Sequence, residues 1–417
     1  MLAEIGYKGF SSDQLFFTQP ELVSQIKSFL ADTVDKPKYL DGRAILNAIA
    51  IQQGILVERS ENIFSFSHLT LQEYLTAQYL SQDPELIKEL VRSYSVDQRW
   101  REVFLLVSGS LQNSDKLMQF MEAEGKGSLK TPKVKAILTW ITQNTNKSGC
   151  RFKVSVERAI ILSIFLTFAT FKSKNFTKVF NIAVSANDLA TALDSQSFRI
   201  SHLLRVLAGS LVSLRDSIDD LDSLVARYKE ATIEARSDSK PYYDSSFDEQ
   251  ILYYNDDVPT HLSHFEGVSG INIVDHPEQG FSVDAEDIAR ASVLVCQHFD
   301  DLTKMLQELN LFDNNIRQKI LEIQIPNMRF PFNPKSSGEV KLILRIAQTF
   351  LERGSRIWWQ TLDLPEEWTS LSEEEIELIK NYLYITELMV RCREEAVRVS
   401  EKVWIGIEEQ ILIPSVD

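Results

Sequence analysis

Cysteine is nearly absent from this sequence: three in 417 residues, at Cys150, Cys296 and Cys392. They stand far apart and form no CxxC pair, which argues against a disulfide framework or a zinc module and fits a reducing cytoplasm. Glycine (15) and proline (12) are also scarce, so long helices are favoured over a turn-rich β architecture. Basic charge is in short supply. Lys and Arg total 44 against 59 Asp and Glu, a formal charge of −15 with pI about 5.0. Such a surface repels phosphate backbones, which argues against nucleic acid as a partner. Long apolar runs are missing too. The strongest, Ala159 to Phe171, is broken by Ser163, Thr167 and Thr170 and falls short of the length that crosses about 30 Å of hydrocarbon. It reads as a buried core helix, and no membrane is implied. The opening Met1-Leu2-Ala3-Glu4 carries an acid and no basic lead into an apolar core, so no signal peptide is read.

What is present is ordinary globular material, 44% hydrophobic and 25% charged, in a chain long enough for two or three cored domains. The first eighty residues mix elements. Glu21–Leu30 carries Leu22, Ile26, Phe29 and Leu30 on one helical face behind Pro20. Asp41–Gln53 is a second helix, with Ala44, Ile45, Ala48 and Ile51 in period and Gly54 as its stop. Two short strands, Ile55–Glu58 and Ile63–Phe66, flank the polar loop Arg59-Ser60-Glu61-Asn62. A third helix runs from about Thr70 to Leu80. Helix, helix, β-hairpin, helix is the grammar of a winged helix.

Beyond Leu80 the pattern is almost all helix: Glu85–Val91 behind the cap Asp83-Pro84, Asp97–Leu111, Asp115–Glu124, Pro132–Gln143, Val154–Phe171, Phe176–Val184, Ala186–Leu193 and Ser197–Tyr228. Residues 237–279 lose the rhythm and read as a long loop. Helices resume at Val283 with a stripe from Ile288 to Leu309, then Asn314–Glu322 and Val340–Arg353. Ser372-Glu373-Glu374-Glu375 is a capping box opening a helix that runs through Val390 and toward Val399. The expected fold class is mainly α: a winged-helix module with a short β-hairpin followed by irregular all-helical domains. The expected divisions are a winged helix over 1–82, a helical domain over 83–236, a linker over 237–280 and a C-terminal helical domain over 281–417.

Three stretches carry a family resemblance. Gly54 to Arg59, followed by Phe64-Ser65-Phe66-Ser67-His68-Leu69-Thr70-Leu71-Gln72-Glu73-Tyr74, contains an F-x-H-x-x-[FL]-Q-E-[FY] run. It resembles the run that closes the winged helix of NACHT-type signalling ATPases. Trp100 to Val107 resembles the segment that follows it in bacterial, especially cyanobacterial, NACHT proteins. Trp368–Leu371, Tyr382, Tyr384, Cys392, Ala396–Ser400 and Trp404 resemble the C-terminal helical domain of the same group.

The resemblance implies a regulatory or sensing segment of a STAND-type defence or signalling receptor, akin to NOD-like receptors. In those receptors the motif's histidine approaches the β-phosphate of bound ADP, and the matching position here is His68. An imidazole at a strand-to-helix junction suits a phosphate, as do the N–H groups of a helix start. The alternative is a purely structural junction histidine. Ser67 and Thr70 are candidate caps of the same helix.

No G-x-x-x-x-G-K-[ST] occurs, and Gly125-Lys126-Gly127-Ser128 lacks its spacing. The chain is therefore expected to be non-catalytic, a fragment, split product or truncated relative. ATP or ADP would bind only with a NACHT NTPase domain supplied in cis or trans, and the trigger would be a protein of unknown identity. Two other classes compete: a helical scaffold or adaptor for protein partners, and a winged-helix DNA-binding regulator. The second is weakened because Asp41–Gln53 offers Arg43 as its only basic side chain. His261 and His264 with Asp256, Asp257 and His276 are better read as a polar loop than a metal site. Cys296 and His298 point to different helical faces. Cys392, between Arg391 and Arg393, is expected in the core, and Trp358, Trp359 and Trp368 are expected as packing anchors.

Overall fold

The computed structural model describes residues 1–33, 41–145, 152–170, 176–194, 312, 314–322 and 356–414, with isolated helical positions at 198–206, 297–307 and 353. The expected helix Ser197–Tyr228, the 237–280 linker, the stripe after Val283 and the helix Val340–Arg353 lie wholly or mostly outside these residues. So do Cys150, Cys296 and the His261–His276 group.

The chain begins with a helix α1 (Leu2–Ser11), a two-residue strand β1 (Phe17–Thr18) and a helix α2 (Gln19–Thr33). Helix α3 (Gly42–Asn47) follows, its Asp41 cap accepting the Arg43 N–H at 2.9 Å. Strands β2 (Leu56–Ser60) and β3 (Ile63–Phe66) form the wing, and α4 (Leu69–Leu80) closes the module. The sheet order is β1-β3-β2, antiparallel throughout. A mainly α fold with a small winged-helix sheet is therefore observed.

Three features depart from the expected pattern. Helix α1 and strand β1 add the first helix and third strand of the winged helix. Helix α1 is masked in the sequence by Gly6 and Gly9, which dilute its apolar face. Their smallness lets α1 sit close on its neighbours: a Cβ on Gly6 would lie 3.1 Å from Leu75 Cβ of α4, and one on Gly9 would run into the Phe17 ring of β1. The expected single helix over Asp41–Gln53 turns π-helical at Ala48–Gln53 before ending on Gly54 at φ +64°. The module's core is Ile5, Phe17, Leu22, Ile26, Leu46, Leu56, Phe64 and Phe66, all buried.

The helices continue as α5 (Pro84–Tyr94), α6 (Arg101–Ser110), α7 (Asp115–Ser128), α8 (Pro132–Asn144), α9 (Val154–Thr170), α10 (Phe176–Leu193), α11 (Asn314–Leu321), α12 (Glu373–Glu395) and α13 (Glu401–Gln410). Helix α10 runs unbroken where two helices were expected. Helix α12 stops at Glu395, short of the expected reach toward Val399, and Ser400 caps α13. Contacts divide the chain into one unit of Met1–Ser128 with Tyr384–Ile411 and another of Leu129–Leu383 with Leu412–Asp417. This division follows other lines than the sequence boundaries at 82, 236 and 280.

In the first unit, Trp100 is fully buried, stacked on Tyr94 at 3.8 Å and edge-on to Phe10 at 4.9 Å. The returning segment 384–411 is held by polar clasps. Ser108 Oγ donates to the Cys392 carbonyl at 2.6 Å, and Ser114 N–H donates to the Arg398 carbonyl at 3.0 Å. Asp115 accepts from both the N–H and the hydroxyl of Ser400, fastening the start of α7 to the start of α13. Burial works against the Asp115 charge, but these Ser400 hydrogen bonds prevail and hold its carboxyl below the usual range.

In the second unit, α9 is buried along nearly its whole length and pairs with α10, where Ser163 Oγ donates to the Ala183 carbonyl at 2.8 Å. The stretch expected to be a core helix is one. Among the described residues no helix is long and apolar enough to cross a membrane. Trp358 and Trp359 are buried anchors as expected, Trp358 stacked on Phe168 at 5.0 Å and Trp359 edge-on to Phe165 at 5.1 Å. The capping box forms as read: Ser372 N–H donates to Glu375 Oε2 at 2.7 Å, and Glu375 N–H donates to Ser372 Oγ at 3.2 Å. Leu412, buried with φ +61°, donates its N–H to the Tyr382 hydroxyl at 2.7 Å.

Candidate functional site

The polar motif lies where β3 hands over to α4. Phe66 is buried in the winged-helix core and ends the strand. Ser67 N–H donates to the Ile55 carbonyl at 2.9 Å, tying the exit of β3 to the entry of β2. Arg59 braces the same corner, its Nε donating to Ser65 Oγ at 2.9 Å and its Nη2 to the Ser67 carbonyl at 3.2 Å. The backbone carrying the next residue is thus fixed from both strands of the wing.

That next residue is His68. It occupies the N-cap of α4 in extended geometry, φ −136° and ψ +147°, and its side chain is exposed. The imidazole makes no cap hydrogen bond. Ser67 and Thr70 were expected as caps, and neither supplies one: the cap residue is His68, and its own carbonyl receives the Leu71 N–H at 3.1 Å. Ser67 is engaged through its backbone instead, while Thr70 faces solvent. The result is a three-turn helix with an exposed, uncapped start. Its partial positive charge and free N–H groups suit an anion.

The rest of the motif turns inward. Gln72 is buried and its Nε2 donates to the Gln14 carbonyl at 3.2 Å, pinning the α1–β1 loop to α4. Glu73 is buried facing α6; burial raises its carboxyl above the usual range and the neighbouring Glu102 adds to the rise. Of the motif's histidine, glutamine and glutamate, then, Gln72 and Glu73 are buried and His68 is exposed. Sequence reasoning singled out His68 and missed that Gln72 holds the α1–β1 loop through Gln14 and that Glu73 is buried near Glu102, both distant in sequence.

Other candidates resolve simply. Gly125–Ser128 is the last turn of α7, with Lys126 paired to Glu122 at 2.8 Å. Arg43 donates to Gln19 Oε1 at 2.7 Å, and the exposed positions around it mix the apolar Ala44 and Ile51, the latter 82% exposed, with Asn47 and Gln53. A groove-reading helix presents several basic side chains, and Arg43 is the only one between Asp41 and Gln53. Cys392 is fully buried and its thiol is pushed far up by desolvation, in keeping with the expected core position. Among the described residues no cluster of His, Cys, Asp or Glu is arranged to hold a metal.

The fold and this junction define a winged-helix module joined to helical domains, and comparison with known families agrees. Residues 26–80 match the family model for a winged helix-turn-helix domain C-terminal to NACHT. Residues 316–414 match NACHT C-terminal helical domain 2. The chain therefore carries a NACHT-associated C-terminal part; the matches fall on the His68 stretch and on the C-terminal stretch, and the resemblance read at Trp100–Val107 lies outside both. The first match covers the His68 motif but begins inside α2, so α1 and β1 extend the module upstream of it. No curated protein and no solved structure matches the chain.

Proposed function

We propose that the chain is the regulatory, non-catalytic part of a NACHT-type signalling or defence receptor of the STAND class, whose winged helix closes over a nucleotide held by an NTPase domain. The observation that carries this reading is the exposed His68 at the uncapped start of α4. In a receptor resting on ADP, His68 donates to a phosphate oxygen and the α4 N–H groups add their dipole. Loss of that contact on exchange for ATP biases two domain arrangements, the ordinary logic of a ligand-driven switch. The helical region then meets the trigger, a protein whose identity the chain does not specify. A bacterial cytoplasm is the setting the resemblance implies.

The test joins this chain to a NACHT domain and measures ADP affinity. His68→Ala is expected to weaken it by about 10-fold or more, the loss of one hydrogen bond to a charged group. His68→Ala with unchanged ADP affinity removes the phosphate role. ATP hydrolysis by the chain alone would overturn the non-catalytic reading. Partner binding that is independent of nucleotide favours the adaptor alternative instead.

A further inference from the structure

Helix α4 has a buried stripe that runs on past its cover. Gln72, Glu73, Thr76 and Leu80 are buried at helical spacing, and Leu69 opens the same stripe one turn earlier. Yet Leu69 is 51% exposed. The cause is the length of α1, which packs antiparallel to α4: Tyr7 stacks on Tyr79 at 4.8 Å, Gly6 lies against Leu75 and Gly9 against Gln72. Helix α1 ends at Ser11 and gives out before the first turn of α4.

The loop after α1 enlarges this bare turn rather than covering it. Leu15 is 49% and Phe16 59% exposed, two adjacent large apolar residues turned to solvent. The loop is held in place. The Gln14 carbonyl receives Gln72 Nε2, and Gln14 Nε2 donates to the Phe16 carbonyl and to Glu21, both at 3.0 Å. Gln72 and Leu69 are one turn apart on α4, which sets the loop beside the uncovered turn. Antiparallel pairing of Phe17 with Phe64 also runs the loop toward the end of β3 that leads to His68. Leu15, Phe16 and Leu69 thus lie beside an exposed histidine and an uncapped helix start. Single exposed apolar side chains are ordinary, whereas a group of them on a braced loop and a helix end marks an interaction site. Because the loop is already fixed, little ordering entropy opposes docking.

We propose that Leu15, Phe16 and Leu69 form the apolar part of a docking face for the nucleotide-loaded NACHT domain. The face calls for two chemistries side by side: apolar side chains against Leu15, Phe16 and Leu69, and negative charge at the start of α4. A NACHT domain holding ADP supplies both, the protein around the nucleotide meeting the leucines and phenylalanine and the phosphate meeting the helix start. The matched winged-helix family is, by its description, C-terminal to such a domain. The choice of partner rests on the nucleotide role proposed for His68, and the apolar contacts are tested apart from it.

The full chain is mixed with the NACHT domain of the same receptor, and the dissociation constant is measured with and without ADP. Phe16→Ser and Leu69→Ser are each expected to weaken binding about ten-fold or more in both conditions, as loss of an anchoring side chain does. His68→Ala is expected to weaken the ADP-loaded complex alone. Both serine changes fall at exposed positions, and melting curves that match the parent chain verify the fold. Val397→Ser, at an exposed apolar position in the α12–α13 turn, is expected to change nothing. Full-strength binding by Phe16→Ser and Leu69→Ser would overturn the docking face, whatever His68→Ala does to the ADP effect. Weakened binding in the serine variants, with His68→Ala matching the parent, would keep the face and remove the phosphate role. No binding by the parent chain would overturn the proposal. So would self-association of the chain alone that Phe16→Ser abolishes, which would assign the face to a second copy.

Discussion

Trp100 offers the sharpest test of how the first unit is held together. Its indole is fully buried between the stacked Tyr94 ring and the edge of Phe10, and it ends the 3₁₀ turn Gln98–Trp100 that leads into α6. It therefore links α1 of the winged helix to α5 and α6. Truncation to alanine removes a large side chain and leaves a cavity, at a cost of about 3–5 kcal/mol. Part of that is the two ring pairs, worth roughly 0.5–1.5 kcal/mol each. Against a typical stability of about 5–15 kcal/mol this is a large share. For domains of roughly 150–250 residues each kcal/mol moves Tm by about 2–4 °C, so a fall of about 10 °C is expected. Trp100→Phe should behave differently. The indole N–H has no partner, so its removal forfeits no hydrogen bond, and a ring remains to face Phe10 and Tyr94. A cost below about 1.5 kcal/mol is expected for that swap. Calorimetry of both variants, with near-ultraviolet circular dichroism to follow the aromatic environment, decides the matter. A fall under about 3 °C for Trp100→Ala, or equal falls for both variants, would refute the claim that packing rather than hydrogen bonding is what Trp100 contributes.

Asp115 has its carboxyl lowered by Ser400, so its stabilisation is present above the ordinary value of 3.8 and is lost as pH falls through the lower folded value; Asp115→Asn should flatten the acid limb of a denaturant-stability curve below pH 4, and an unchanged limb counts against the clasp. Glu73 has the opposite sign: its folded value lies above 4.5, so its contribution is favourable below that pH and is lost as pH rises through the folded value. Glu73→Gln should accordingly raise stability at pH 7 and leave it nearly unchanged at pH 4, as read by urea melts. Cys392, buried and with its thiol pushed up, should resist iodoacetamide in the native protein and react on unfolding; mass spectrometry of a Cys150→Ser, Cys296→Ser background isolates it. Ser372→Ala should cost about 1 kcal/mol through loss of the capping box, with a cost below a few tenths counting against its role.

What could be read from residues alone was whatever has a local code. Leu22 and Ile26 declare the buried face of α2 by spacing, Gly54 declares a stop because only a left-handed residue fits there, and Ser372 with Glu375 declares a helix start through reciprocal bonds to its own backbone. The strand-turn-strand of the wing and the junction place of His68 follow from the same kind of signal. These are interactions among neighbours, and the chain carries them wherever it goes.

The remainder depended on residues far apart in sequence. Strand β1 is two residues long and exists because Phe17 and Thr18 pair with Phe64 and Ile63. Helix α1 was not read from the sequence, where Gly6 and Gly9 serve close approach to α4 and β1 rather than an apolar stripe. The return of 384–411 to the first unit rests on Ser108, Ser114 and Asp115 meeting Cys392, Arg398 and Ser400 across nearly three hundred residues. Gln72 and Glu73 looked like part of a signature and proved to be buried, whereas His68 near them is exposed. Sequence by itself determined the helical character, the wing and the place of the histidine, because caps and periodicity act over a few residues. Only the tertiary structure decided which of the motif's polar groups face outward, because burial is set by which distant helix arrives to cover them.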